Sequence, residues 1–149
     1  MRSHFNPLTL TCKAILFDMD GTLVDSTSVV ERAWRCWAKR HDIPLEPVLL
    51  FSHGRPTIVT MEHFLPGRDH AHELDEMDRY EETELEGVVA IRGAIQVVHA
   101  LQKHPWAIVT SASRTLAQAR IKAAGFSVPK LIVPADELEA FVAALAASQ

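Results

Sequence analysis

Cysteine is scarce in this chain: Cys12 and Cys36 are its two thiols, far apart, with neither CxxC spacing nor a cluster of histidines beside them. That excludes a disulfide framework and a zinc pattern, and makes a reduced, cytoplasmic setting the expectation. Long apolar runs are missing as well. The amino-terminal MRSHFNPLTLTCK has no apolar core with a cleavage site, and no run approaches the length of a bilayer span, so neither secretion nor membrane insertion is expected. Basic excess is absent too. With 15 Lys and Arg against 19 Asp and Glu, the net charge of −4 offers no field to gather nucleic acid by counterion release. Eight histidines are present, yet His53, His63, His70 and His72 show no HxxxH or HExxH pairing. His70-Ala71-His72 reads as a solvated loop. Internal repeats and low-complexity tracts are lacking, apart from an alanine-rich tail.

What is present is an ordinary globular composition, 48% hydrophobic and 23% charged over 149 residues, enough for one core and a small insert. The apolar run Ala14 to Phe17 stops abruptly at Asp18-Met19-Asp20-Gly21-Thr22, as a buried parallel strand stops in a functional loop. After Ser26, a suitable N-cap, Val30, Ala33, Trp34, Trp37 and Ala38 recur at helical spacing from Thr27 to His41. Trp34 and Trp37 therefore read as packing, not as a ligand-stacking pair. Residues 42–86 show short helical patterns without a strand. A further helix is expected over Gly93 to Lys103, a strand over Trp106 to Thr110, a helix over Arg114 to Ala124 closed by Gly125, and a third strand over Leu131 to Val133. In the tail, Leu138, Phe141, Val142 and Leu145 recur at three and four, a helix with an apolar stripe to dock. Alternation of strand and helix predicts an α/β fold, a doubly wound parallel sheet whose ligands bind at the carboxyl ends of the strands. Asp18 to Thr22 and Thr110 to Ser113 both lie at such ends.

Asp18 and Asp20, one residue apart at a strand end, point to the same side because strand side chains alternate. Two like charges so close are stable only with a cation such as Mg²⁺ between them or with one of them protonated. Either state serves chemistry: an ionised Asp18 attacks phosphorus, while Asp20, swung by the Gly21 turn, protonates a departing alkoxide and later deprotonates water. A polar turn with a capping Asp is the plainer reading of Asp-Gly. The fixed pattern D-x-D-G-T, however, arises by composition in only roughly one chain of this length in a thousand. The second cluster offers hydroxyls and backbone amides where a strand leads into a helix N-terminus, a ready anion site, with Ser111 and the amide of Ala112 suited to it. Ordinary N-capping by Ser111 or Ser113 is the alternative use.

AILFDMDGTLVDS resembles the first motif of haloacid dehalogenase superfamily phosphatases, and WAIVTSAS is similar to their second. The resemblance implies that Asp18 forms a phosphoaspartyl intermediate, that Asp20 is general acid and base, and that Mg²⁺ binds the Asp18 carboxylate and the Asp20 backbone carbonyl. It implies a phosphate-binding hydroxyl at Ser111, with Thr110 as the alternative register, and a phosphate cradled by the loop that includes Gly21 and Thr22. The implied architecture is a Rossmannoid parallel core over residues 12–25 and 92–149, with a helical cap over 26–91. The cap is similar to that of hexose-phosphate phosphatases: FSHGRPTIVTMEHF resembles their cap loop, with Arg55 placed to meet a sugar phosphate or hydroxyl. VVAIRGA resembles the hinge returning to the core, where the family commonly has Pro in place of Arg92.

Beyond Val133 the family pattern calls for a lysine in a GKPxP-type loop, another strand and an acidic metal-binding motif. PADELEAFVAALAASQ supplies none of them, and Lys130 stands at the wrong end of its strand. The expected core is therefore incomplete and C-terminally truncated, with Mg²⁺ loosely held and a sheet edge left open. The expectation is a Mg²⁺-dependent sugar phosphatase acting on a small phosphorylated sugar. A catalytically impaired binding module and a phosphosugar mutase are the alternatives, and a homodimer through the C-terminal helix or the open edge is a possible assembly.

Overall fold

The computed structural model describes residues 9–147, apart from the side chain of Leu145. Most of the stretch that lacks a leader pattern, and the Leu145 position of the tail stripe, thus lie outside the described parts. Strand β1 (Ile15–Phe17) leads into the acidic loop, and β2 (Val24–Asp25) follows at once. Four helices then form the cap: α1 (Thr27–Arg40), α2 (Leu45–Ser52), α3 (Thr57–Phe64) and α4 (Ala71–Thr83). The chain returns through β3 (Val89–Ala90) to α5 (Ala94–Ala100), β4 (Trp106–Val109), α6 (Arg114–Ala123) and β5 (Ile132–Val133), and ends in a 3-10 turn (Ala135–Glu137) and α7 (Leu138–Ala147).

The main sheet is parallel in the order β1-β4-β5, with Phe17 beside Ile108 and Ile108 beside Ile132. Those residues share one core with Ala117 and Ile121 of α6, Ala124 just past it, Ala94 of α5, and Met19 and Val24 of the acidic loop and β2. This is the expected α/β alternation, and it aligns the carboxyl ends of β1 and β4 side by side. Leu16 points to the other face by alternation and is 54% exposed, on a strand whose outer edge is unpaired within the sheet. Helix α7 makes its main packing on the 3-10 turn before it, and Val142 remains exposed.

Strands β2 and β3, two residues each, are too short to carry any periodicity. They pair antiparallel, Val24 with Ala90 and Asp25 with Val89, and the Ile91 amide donates to Leu23 O at 2.9 Å. They form the two-stranded waist through which the chain leaves and re-enters the core. Gly87, just before β3, has φ +85°, and a Cβ there would lie 2.5 Å from Ser28 Oγ, so the waist requires glycine at that point.

The cap has its own apolar cluster. Trp34 and Trp37 meet edge to face, ring centroids 5.4 Å apart, among Ala33, Val48, Met61 and Met77, which is the packing role their spacing predicts. Tyr80 of α4 packs against both clusters and so belongs to cap and core together. One expectation is corrected. His70 is not solvated: it is buried beneath the start of α4, its Nε2 donating to Leu65 O at 3.0 Å, because the chain turns there with carbonyls that need a donor.

Candidate active site

The loop after β1 is wound around one carbonyl. The amides of Thr22, Leu23 and Val24 converge on Met19 O at 3.3, 2.9 and 3.0 Å, and the Gly21 amide donates to Val24 O at 2.8 Å. Gly21 has φ +78°, which makes this tight return possible. Met19 is fully buried as the anchor, whereas on either side of it Asp18 is exposed and Asp20 half-buried. The Asp18 side chain is exposed and has no hydrogen-bond or ion-pair partner among the described residues. Thr22 is exposed beside it.

Asp20 is held on both oxygens. Ser26 donates to Oδ1 at 2.6 Å, and Arg120 Nη1 to Oδ2 at 3.0 Å. The hydroxyl of Ser26 was expected to cap α1. Instead the Asp25 carboxylate accepts the Thr27 amide at 3.0 Å, which frees Ser26 for Asp20. Arg120 is 4% exposed, and its Nη2 meets Glu81 Oε2 of the cap at 2.5 Å. Burial pushes the Glu81 carboxyl above its ordinary value; Arg120 offsets part of this, and Asp78 and Asp20 add to it.

The second cluster sits at the end of β4. Thr110 is buried: its amide donates to Val133 O at 3.0 Å, and its Oγ1 accepts the Ala112 amide at 3.1 Å. The Ala112 N–H offered to an anion by the sequence is thus engaged internally here. Ser111 is exposed at the strand end, free of such a commitment among the described residues. Ser113 caps α6 by accepting the Leu116 amide at 3.1 Å, and donates to Glu82 of the cap at 3.2 Å. Arg55 is not brought into contact with these loops. It lies in the cap, stacked 4.4 Å over the Phe51 ring and donating to Phe51 O. A cleft of about 480 Å³ on the cap, between α1 and α4, is lined by Cys36, Arg40, Glu76 and Arg79 among others, but by neither Asp18 nor Asp20. It does not mark the chemistry.

Mg²⁺ seeks hard oxygen ligands in octahedral array. The implied donors are in place: Asp18 offers an uncommitted carboxylate, and the Asp20 carbonyl accepts none of the loop's backbone hydrogen bonds. No group of three or more His, Cys, Asp or Glu is arranged to hold a metal among the described residues, so a bound Mg²⁺ would draw two oxygens from this loop and take its other ligands from phosphate and water.

Residues 12–145 match the family model of the haloacid dehalogenase-like hydrolases. The chain belongs to this family. Hexitol phosphatase A of Escherichia coli is 46% identical over 135 residues, a match spanning 87% of this chain and 62% of that protein. Glycerol-1-phosphate phosphohydrolase 2 of Saccharomyces cerevisiae is 29% identical, over 89% of this chain and 55% of its own length. Among solved structures, a hydrolase from Pseudomonas syringae superposes with TM-score 0.67 at 25% identity, covering 83% of this chain and 61% of that one. The chain thus spans less than two thirds of the length of these relatives. No helix among the described residues is long and apolar enough to cross a membrane.

Sequence reading missed Ser26, Glu81 and Arg120. A signal existed for Arg120: it shares the stripe of Leu116, Ala117 and Ile121 on α6, and an arginine on a buried stripe requires an acidic partner.

Proposed function

We propose that this chain is a phosphomonoesterase of small phosphorylated sugars or sugar alcohols, working through a phosphoaspartyl intermediate with Mg²⁺. The observation that supports the reading is that Asp18 and Asp20 stand in the loop leaving β1 and Ser111 just past the end of the neighbouring parallel strand β4. The printed names of the relatives, a hexitol phosphatase and a glycerol-1-phosphate phosphohydrolase, support the substrate class.

In the first step an Asp18 oxygen attacks phosphorus, a phosphorus–carboxylate bond forms and the bond to the sugar oxygen breaks. Asp20 gives its proton to the leaving alkoxide. In the second step Asp20 takes a proton from water, whose oxygen attacks the same phosphorus; inorganic phosphate leaves and the Asp18 carboxylate is restored. Ser111 donates a hydrogen bond to a phosphate oxygen, and Gly21 and Thr22 form the loop wall beside it. The chemistry that Mg²⁺ supplies when bound at Asp18 Oδ and the Asp20 carbonyl is neutralisation of charge between carboxylate and phosphate. The cap excludes water during transfer, and Arg55 on its loop addresses the sugar once the cap engages substrate.

Acid-quenched turnover followed by peptide mass analysis tests the covalent route. A phosphoryl group on the peptide carrying Asp18 is expected; turnover without it overturns the intermediate. Transfer of phosphate to a second sugar hydroxyl, in place of release, makes the chain a mutase. Mg²⁺ and phosphate binding without turnover makes it a binding module.

A further inference from the structure

The last turns of α4 reach from the cap to both loops of the site. Tyr80 packs in both apolar clusters, Glu81 meets Arg120, and Glu82 accepts the Ser113 hydroxyl. Arg120 stands on the core helix α6, and its two terminal nitrogens are divided between one acid of the core, Asp20, and one of the cap, Glu81. A guanidinium is a rigid planar fork, so fixing one nitrogen limits where the other can lie. Its Nε has no partner among the described residues, so the hydrogen bonds of this buried group go to these two acids. If the cap swings away, Glu81 leaves with it and the guanidinium must find another position or another partner.

We propose that Arg120 is a positioning residue that couples the cap to Asp20: the docked cap fixes the guanidinium through Glu81, and the guanidinium fixes the Asp20 carboxylate. The proposal rests on the phosphatase reading for the role of Asp20, whereas the coupling itself is conformational and is measured without turnover. Ser26 holds the other oxygen of Asp20 from the waist side, so the carboxylate is aimed by one contact from the core's exit strand and one that depends on the cap.

The test places spin labels on Cys36 of α1, exposed on the cap, and on a Lys122→Cys position of α6, exposed on the core, in a Cys12→Ser background. The cap-to-core distance is read by pulsed dipolar spectroscopy in the parent and in Glu81→Ala and Arg120→Lys, with melting curves to confirm folding. The expected result is a narrow distribution in the parent and a broader, longer one in both variants, because a lysine ammonium is a point donor that does not span both acids. In the unlabelled proteins kcat on a hexitol phosphate falls roughly a hundredfold in both variants while KM changes far less, as misplacement of a reacting group costs. Unchanged distributions in the variants, or a broad one in the parent, overturn the proposal. Loosened caps with parental kcat overturn the link to Asp20. If the parent itself has no turnover, the phosphatase reading fails and the distances alone decide whether the latch exists. Should Arg120→Lys fail to fold, Glu81→Ala carries the test.

Discussion

Ser26 spends its hydroxyl on Asp20 and leaves the capping of α1 to Asp25. The substitution Ser26→Ala therefore removes a short, partly buried bond to Asp20 without unwinding the helix. It is expected to cost about 1–2 kcal/mol in urea denaturation and to lower kcat more than it raises KM. A loss of helix content in circular dichroism would contradict this division of labour. At this scale the placement of Asp18, Asp20 and Ser111 just past two strand ends was legible because it follows from local order, an apolar run that stops at polar residues. The partners of Arg120 were not, although its place on a buried stripe was, since it meets Asp20 across a hundred positions of chain and Glu81 across 39; Ser26 was missed because an N-cap position explained it already. Pairings of that range are made by the fold alone. His70 misled for a similar reason: its partner, Leu65 O, is a backbone atom that no side-chain pattern announces.

Helices were the readable elements, because a stripe at helical spacing survives without knowledge of what it packs on. α1 runs Thr27–Arg40, one residue from its expected end, and Trp37 is its central anchor, 3% exposed with its indole donating to Glu73 at 3.0 Å. Trp37→Ala is expected to destabilise the cap by about 3–5 kcal/mol, visible as an early transition in thermal unfolding; a single unshifted melt would contradict it. Glu73 gives the cap a pH dependence. Burial pushes its carboxyl up, but the Trp37 indole, His41 and His70 outweigh that and hold it below the ordinary 4.5. His41 Nε2 stands 2.6 Å from Glu73 Oε1, close enough for charge attraction though outside hydrogen-bond geometry. A carboxyl depressed in the folded state stabilises above its unfolded value, so this contribution is lost as pH falls below about 4.5. Glu73→Gln should flatten the acid limb of cap stability followed by tryptophan fluorescence, and an unchanged limb would assign it to other acids. The waist strands β2 and β3 were invisible because two residues hold no period, and the close approach of Gly87 to Ser28 of α1 is a contact no local pattern announces.

For the whole molecule, alternation of strand and helix foretold a parallel α/β sheet with a helical insert, and the order β1-β4-β5 brings the two polar strand ends together. The covering of the sheet was less legible, since an apolar stripe on α7 does not say where α7 docks. Leu16 on the edge strand β1 is left 54% exposed, and unpaired apolar edges recruit other chains. Leu16→Lys is expected to reduce concentration-dependent self-association in light scattering without changing the melting midpoint; equal association in both proteins would place any contact elsewhere. The central claim concerns Asp18, and phosphate release tests it most directly. The purified chain is incubated with Mg²⁺ and a panel of hexose and hexitol phosphates beside an identically prepared Asp18→Asn protein. The account predicts turnover in the parent that disappears in Asp18→Asn, and the same background release from both proteins would contradict it.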